Sequence, residues 1–245
     1  MDKKVTAICC GAIDYKDSDK LVTLCSVEQG KITAVVKGVK KPKAKLRYSA
    51  TPFCFGEYVL AQKGEYHTVI SCSPIDQFTS LIGDVDKFYA GSVILDALRN
   101  TAGVNEETAG VMVVALNYLK SLAYEDQDVS LLLISFLLSL FDACGYGLDF
   151  TACRVCRTKN FTKRYFSYAQ GGIVCRICAK NTDYPVSGEA SGLIKAILDG
   201  ISLSVLRYAE SVKRETLNLL NAYFGQIFAK KLTSLDQYLD ISKSV

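Results

Sequence analysis

Four cysteines form two closely spaced pairs, Cys153-Arg-Val-Cys156 and Cys175-Arg-Ile-Cys178, with eighteen residues between the pairs. Two pairs at this spacing, separated by roughly 15 to 20 residues, are typical of a tetrahedral zinc site. Four thiolates leave no open coordination position, so such a site is structural rather than catalytic. The alternatives are two redox dithiols or ordinary core cysteines, but a redox pair usually opens the helix of a βαβ unit, which is not predicted here. The sequence therefore predicts one structural zinc ion bound by these cysteines.

A run of positive charge, KGVKKPKAKLR, occupies residues 37–47. Seven Lys or Arg and no Asp or Glu occur between residues 31 and 47: Lys31, Lys37, Lys40, Lys41, Lys43, Lys45 and Arg47. The simplest interpretation is a solvated surface loop. However, Gly38 and Pro42 favour a turn that gathers the charges, which suits the phosphates of a nucleic acid. Seven contacts to single-strand phosphates would give a salt slope of about −5 in log-log terms.

The segment around the cysteine pairs is also basic, with seven Lys or Arg and no Asp or Glu at residues 151–182. Six of these are candidates for a second DNA contact: Arg154, Arg157, Lys159, Lys163, Arg164 and Arg176. The charge serves equally well to keep a small exposed module in solution, and both interpretations stay open. Tyr15, Tyr48 and Tyr66 lie in predicted loops and are candidates for stacking on bases.

No set of residues assembles a nucleophile, a base and an orienting group. The only histidine is His67, at the predicted start of a strand, and no phosphate-binding glycine motif occurs. Asp14, Asp17 and Asp19 cluster in one loop and are interpreted as solvated carboxylates. We therefore expect a protein that is not an enzyme and has no small-molecule substrate.

The pattern around these residues predicts the elements that hold them. The first 75 or so residues alternate as short strands, at 5–13, 21–27, 31–38, 52–61 and 67–73. Five strands with a charged insert between the third and the fourth favour an OB-fold barrel. From about residue 79 the apolar residues recur at three- and four-residue spacing, which predicts helices, with Asp128 as the N-cap of an apolar one.

The predicted fold class is therefore α+β and multidomain: a five-stranded OB barrel followed by an all-helical domain with an inserted four-cysteine zinc knuckle. The predicted divisions are 1–78 for the barrel, 79–150 and 183–245 for the two parts of the helical domain, and 151–182 for the knuckle. The longest apolar run, at 129–141, is too short to span a membrane, and the N-terminal residues lack a signal-peptide pattern. We expect a cytoplasmic protein, associated with the nucleoid when bound to DNA.

The N-terminal region carries a specific motif. It reads Asp-Tyr-x-Asp-x-Asp-Lys-Leu-Val-Thr at 14–23, Gly30-Lys31, and Lys-Gly-x-Lys-Lys-Pro-Lys-x-Lys-Leu at 37–46. These residues resemble the N-terminal domain of the RecO family of bacterial recombinational repair proteins. The order of parts, barrel and then helices with a zinc knuckle, is similar over essentially the whole chain, although the helical part matches in pattern only.

The resemblance implies a mediator of DNA repair that catalyses no reaction. Such proteins bind single- and double-stranded DNA, anneal complementary strands and act with RecR, sometimes with RecF. They help to load RecA onto DNA coated with single-stranded DNA-binding protein. For this chain the resemblance implies that the seven cations of residues 31–47 hold phosphates. Some members lack the cysteines, so zinc is not essential to the family's activity.

Two other functions fit the same residues. One is a zinc-containing OB-fold factor that binds RNA or acts in translation. The other is a non-catalytic interaction scaffold, in which the acidic block at 81–150, with ten Asp or Glu against three Lys or Arg, docks a partner.

Overall fold

The computed structural model describes residues 2–63, 66–103 and 108–241. The chain forms two compact units, Met1–Glu125 and Asp126–Val245.

Five strands of the first unit close into a barrel. They are β1 (Asp2–Tyr15), β2 (Asp19–Ser26), β3 (Gly30–Val36), β4 (Phe55–Lys63) and β5 (Tyr66–Asp76). The order around the barrel is β1-β2-β3-β5-β4, and β4 pairs with β1 to close it. Neighbouring strands are antiparallel except for β3 and β5, which are parallel. The predicted OB-type barrel is therefore confirmed.

Strand alternation fills the barrel. On β2, Val22 and Leu24 point inward to the core, while Leu21 and Thr23 face outward. The register of β1 shifts at a bulge between Cys9 and Gly11, which bends the strand as a closed barrel requires. Five cysteines, which behave as small apolar side chains, are buried in this unit: Cys9, Cys10, Cys25, Cys54 and Cys72.

Three helices complete the first unit: α1 (Thr79–Ile82), α2 (Val85–Thr101) and α3 (Ala109–Tyr124). The Asp84 carboxylate caps α2 by accepting a hydrogen bond from the Lys87 N–H at 3.0 Å. Helix α2 packs on β1 and β2, and Gly91 lies directly against the buried ring of Phe53. A methyl group at position 91 would lie 2.8 Å from that ring, so only glycine lets the helix approach this closely.

The helices of the second unit are α4 (Val129–Ala143), α5 (Gly188–Leu198), α6 (Glu210–Phe228) and α7 (Thr233–Ile241). Asp128 caps α4 as predicted, accepting the Leu131 N–H at 2.9 Å. Its other oxygen lies 2.6 Å from the buried Lys213 ammonium, which also contacts Glu210. No helix in the described ranges is long and apolar enough to cross a bilayer.

The cysteine-bearing insert (residues 151–182) supplies two strands of a small antiparallel sheet in the second unit, β6 (Arg164–Ser167) and β7 (Gly172–Cys175). The third strand, β8 (Tyr184–Val186), follows the insert in a stretch that was predicted to belong to the helical domain, and the order is β7-β6-β8. Gly171, with φ of 57°, turns the chain between β6 and β7. Phe166 of β6 is fully buried, with ring centroids 5.8 Å from Phe150 and 5.3 Å from Tyr223. These aromatic contacts fix the insert to α6.

The compact units differ from the divisions predicted from the sequence. The sequence set a boundary after residue 78, where the strand pattern changes to a helical one. In the structure α1, α2 and α3 belong with the barrel, because α2 packs on β1 and β2. Helix α4 belongs with the second unit, which also contains the insert and residues 183–245.

Candidate metal centre and nucleic-acid interface

The basic loop (residues 37–47) connects β3 to a short 3₁₀ turn at Tyr48–Ala50 that precedes β4. Val39, Leu46 and Tyr48 pack against the barrel core. The Tyr48 hydroxyl donates a hydrogen bond to the Cys72 carbonyl at 2.7 Å. Within the loop, the Arg47 guanidinium donates to the Lys41 carbonyl at 3.1 Å. The loop is therefore held to the barrel mainly by its apolar side chains and the Tyr48 hydroxyl, and its charged residues are exposed.

The structure brings six of the seven predicted cations together. Lys37, Lys40, Lys41, Lys43, Lys45 and Arg47 are all exposed on the basic loop. Lys31 is only half-exposed and lies at the opposite end of β3, about 20 Å along the strand from Lys37. Its N–H donates to the Gly103 carbonyl at 2.8 Å. Lys31 is therefore separate from the cluster.

The acidic turn (residues 14–19) between β1 and β2 positions the basic loop. An Asp19 carboxylate oxygen accepts the Gly38 N–H at 2.7 Å, and the Lys40 N–H donates to the Ser18 carbonyl at 3.0 Å. The Lys40 ammonium lies 2.9 Å from the Asp14 carboxylate. Hydrogen bonding to Lys40 lowers the pKa of Asp14, and the Gly38 N–H lowers the pKa of Asp19.

Asp14 is exposed and Asp19 is half-exposed, which fits their interpretation as solvated carboxylates, but both also bond to the basic loop. Sequence reasoning missed their role because 26 residues separate Asp14 from Lys40, and 19 separate Asp19 from Gly38. The sequence shows only that the acidic motif and the basic motif occur in the same domain. It does not show that Asp14 pairs with Lys40 or that Asp19 bonds to Gly38.

The three candidate stacking residues differ in their surroundings. The rings of Tyr15 and Tyr66 meet edge to face with centroids 6.4 Å apart, and the Lys16 ammonium lies 5.2 Å from the Tyr15 ring centroid. Both tyrosines are half-exposed. Tyr48 instead anchors the basic loop, so it is not available to stack on a base.

The four cysteines of the insert converge as their spacing predicts. Their sulfur atoms all lie within 4.8 Å of one another, and those of Cys156 and Cys175 are 3.7 Å apart. Four sulfurs about 2.3 Å from a central zinc ion would stand about 3.8 Å apart in a regular tetrahedron. The cluster can therefore hold a metal ion, and its size and donor atoms fit zinc.

Backbone hydrogen bonds prepare the cluster for a cation. The Cys175 N–H donates to the Cys153 sulfur at 3.4 Å. Burial raises the pKa of Cys153, but the N–H groups of Cys156, Cys175 and Val155 outweigh burial and lower that pKa to about 6. Burial and the neighbouring sulfurs raise the pKa of Cys178 to about 12. A divalent cation would take the place of the remaining protons, since metal ligation requires thiolates.

The second set of predicted cations divides into two groups. Arg154 is engaged within the insert, donating to the Gln170 carbonyl at 3.2 Å and to the Asp149 carboxylate at 3.0 Å. The guanidinium of Arg164 lies over the Phe161 ring, 5.3 Å from its centroid. The remaining four are exposed: Arg157, Lys159, Lys163 and Arg176. Of these, Arg157 lies 3.8 Å from the Asp149 carboxylate.

Two family models match this chain. The model for "Recombination protein O N terminal" matches residues 1–78, and the model for "Recombination protein O C terminal" matches residues 83–236.

Curated relatives agree with these matches. The chain is 32% identical to a DNA repair protein RecO of Clostridium novyi (strain NT), over 98% of this chain and 95% of that protein. It is 31% identical to a protein of the same name from Desulfitobacterium hafniense (strain DSM 10664 / DCB-2), over 90% of this chain and 83% of the relative. With both halves matched and relatives aligned over nearly the full length, the chain belongs to the RecO family of DNA repair proteins.

Proposed function

We propose that this chain is a DNA-binding mediator of recombinational repair that anneals complementary strands and catalyses no bond chemistry. The observation that carries the proposal is the basic loop, six exposed cations on a segment fixed to the end of an OB-type barrel. Barrels of this type bind single strands by a basic surface that follows the backbone, supplemented by aromatic side chains. Tyr15 and Tyr66 lie in the same unit and are the aromatic groups that fit this role.

Annealing requires that two polyanions approach each other. A cluster of side-chain ammonium and guanidinium groups can neutralise phosphates while the loop backbone stays anchored by its apolar residues and by the Gly38 and Lys40 N–H groups. Each contact with a single strand releases counterions, so binding depends strongly on salt. Because the same cations can serve phosphates of either strand, this mechanism needs no sequence recognition and no chemical step.

The partners follow from the family. We propose RecR as a partner, with RecF, RecA and single-stranded DNA-binding protein as further components, and the cytoplasm, including the nucleoid, as the location. We also propose that the cluster of Cys153, Cys156, Cys175 and Cys178 holds one zinc ion. All four positions of a tetrahedral ion would be filled by sulfur, so its role is to hold the two turns of the insert together.

The test is an annealing assay on complementary oligonucleotides, with and without single-stranded DNA-binding protein. A variant with Lys40, Lys41 and Lys43 replaced by Glu should bind single-stranded DNA about 100-fold or more weakly at low salt, and should anneal correspondingly slowly. The matched control replaces three lysines of the same unit that lie outside the basic loop, Lys3, Lys87 and Lys120, with Glu.

Equal loss in both variants would show that only net charge matters and would contradict the assignment of the loop. If the unmodified chain does not anneal strands and binds RNA and DNA with equal affinity, an RNA-binding factor would be favoured. A partner complex that does not respond to salt, with no DNA binding, would favour a scaffold.

A further inference from the structure

A cleft of about 860 Å³ lies in the second unit between the insert and α6. Its lining includes Val155, Tyr168, Gln170, Lys180 and Gln226. The cleft also borders Cys178 of the sulfur cluster. Its volume lies in the range of roughly 300 to 1,000 Å³ in which proteins hold small molecules or single residues of a polymer. None of the contacts described above for the basic loop involves this cleft.

Tyr168 is the aromatic residue of the lining, and its neighbours hold its ring. The Tyr168 ring is half-buried and lies nearly parallel to Tyr223, with centroids 6.5 Å apart and an angle of 21° between the planes. The rings of Tyr168 and Phe166 meet edge to face, with centroids 5.3 Å apart. Because these two neighbours hold the ring in one orientation, it offers a preorganised surface on which a flat ligand can stack.

The remaining lining suits the polar edge of a base. Gln226 and Gln170 are exposed and carry amides that both donate and accept hydrogen bonds. The Asp183 carboxylate also lines the cleft and accepts the Lys180 N–H at 2.8 Å, which closes the turn that carries Lys180. The Lys180 side chain is exposed.

The lining also carries one positive charge and one exposed apolar group. Lys180 is exposed, and Val155, which lies between the cysteines of the first pair, is 58% exposed. An anionic chain with flat apolar bases complements both features, whereas a duplex keeps its bases stacked and out of reach.

We propose that this cleft is a second nucleic-acid site that takes one unpaired nucleotide of a single DNA strand. The base stacks on Tyr168, its edge meets the amides of Gln170 and Gln226, and an adjoining phosphate meets Lys180. The proposal rests on the proposed DNA-binding function. It adds a site that distinguishes single-stranded from double-stranded DNA, because it binds an unpaired base by stacking. A strand held here and another held by the basic loop would give annealing two distinct binding surfaces.

The test is photo-crosslinking of the full-length, zinc-loaded chain to an oligo(dT) strand carrying 5-iododeoxyuridine, followed by mass spectrometry of tryptic peptides. We expect an adduct on Tyr168, within the peptide 165–176, that excess unlabelled oligo(dT) abolishes. The same label within a duplex should give no adduct there. Replacing Tyr168 with Leu should remove the adduct and weaken binding by about 5- to 150-fold, the range for loss of one stacked base.

A second variant tests the cleft without replacing the buried part of Tyr168, so that loss of the adduct is not confused with misfolding. Lys180→Glu changes an exposed side chain at the cleft and should reduce the Tyr168 adduct at least severalfold, while the zinc content stays unchanged. Lys120→Glu makes the same charge change on α3 of the other unit and should leave the adduct intact.

The outcomes separate this site from the proposed function. Tight binding of single-stranded DNA without an adduct in peptide 165–176, or an equal adduct from the duplex, overturns the cleft proposal and leaves the basic loop standing. No DNA binding at all overturns both. Persistence of the Tyr168 adduct in the variant with Lys40, Lys41 and Lys43 replaced by Glu, at DNA concentrations that saturate it, supports two independent sites.

Discussion

Replacing Asp14 with Asn should tighten the binding of single-stranded DNA. The Asp14 carboxylate lies 2.9 Å from the Lys40 ammonium and neutralises it. Five of the six cations on the basic loop are therefore free to meet phosphates in the unmodified chain, and the substitution releases the sixth. Asp14 is 67% exposed and contributes little to the fold, so the variant should remain folded.

The magnitude follows from counterion release. Each single-strand phosphate contact contributes about −0.7 to the slope of log affinity against log salt, so five contacts give about −3.5 and six about −4.2. Affinity should therefore fall about 100-fold between 50 and 200 mM salt for the unmodified chain and about 300-fold for the variant. Extrapolated from 1 M salt, the extra contact tightens binding about 8-fold at 50 mM and about 3-fold at 200 mM.

The assay is fluorescence anisotropy on a labelled oligo(dT) across this salt range. The control is Asp17→Asn, which removes the same charge from an exposed residue of the same turn. If Asp17→Asn tightens binding as much as Asp14→Asn, the effect is one of net charge and the ion-pair argument fails. An unchanged slope in Asp14→Asn would refute the argument as well, because Lys40 would then not contact a phosphate even when free.

Three further predictions concern the fold that holds these surfaces. Cys156→Ser should lower bound zinc from about one ion per chain toward zero and lower the melting temperature, measured by elemental analysis and calorimetry; a full zinc complement would contradict the cluster assignment. The hydrogen bond from the Gly38 N–H lowers the pKa of Asp19 in the folded protein. The ionised Asp19 carboxylate therefore stabilises the fold fully above about pH 4, and this contribution is lost as the pH falls through the lowered pKa of the folded state. Asp19→Asn should remove this part of the acid sensitivity and speed hydrogen exchange at the Gly38 amide, and an unaltered exchange rate would argue against the anchor. Gly91→Ala should cost about 1 to 3 kcal/mol in urea unfolding, because the clash with Phe53 outweighs the helix propensity of alanine; a gain in stability would show that the ring can move.

Features set by local pattern were predictable from the sequence. Alternation of apolar residues along β2 and β3 gave their position in the barrel, since a period of two fixes which side chains face inward. The spacing within the cysteine pairs predicted that Cys153 lies close to Cys156 and Cys175 close to Cys178, because each pair is a single tight turn. The N-cap at Asp128 followed from its place just before an apolar helix.

Features set by long-range contact were not predictable. Lys31 belongs to the same charged window as Lys37, yet an extended strand carries it to the other end of the barrel. The packing of Gly91 on Phe53, which joins α2 to the barrel, connects residues from different predicted domains. No periodicity reports such a contact, because it depends on the order in which strands and helices pack rather than on any one of them.

The basic loop and the insert have one feature in common that a count of charges does not show. Neither residues 37–47 nor residues 151–182 include an acidic residue, and carboxylates from outside hold each segment, Asp19 for the basic loop and Asp149 and Asp183 for the insert. In both cases carboxylates engage a backbone N–H and at least one cation, Lys40 in the basic loop and Arg154 in the insert, and most of the other cations stay exposed. Asp149 accepts the Thr151 N–H at 2.8 Å and pairs with Arg154, much as Asp19 accepts the N–H of Gly38. The carboxylates pair with Lys40 in the basic loop and with Arg154 and Arg157 in the insert. The cations that remain exposed and unpaired by these carboxylates are the ones whose number salt-dependent binding should report.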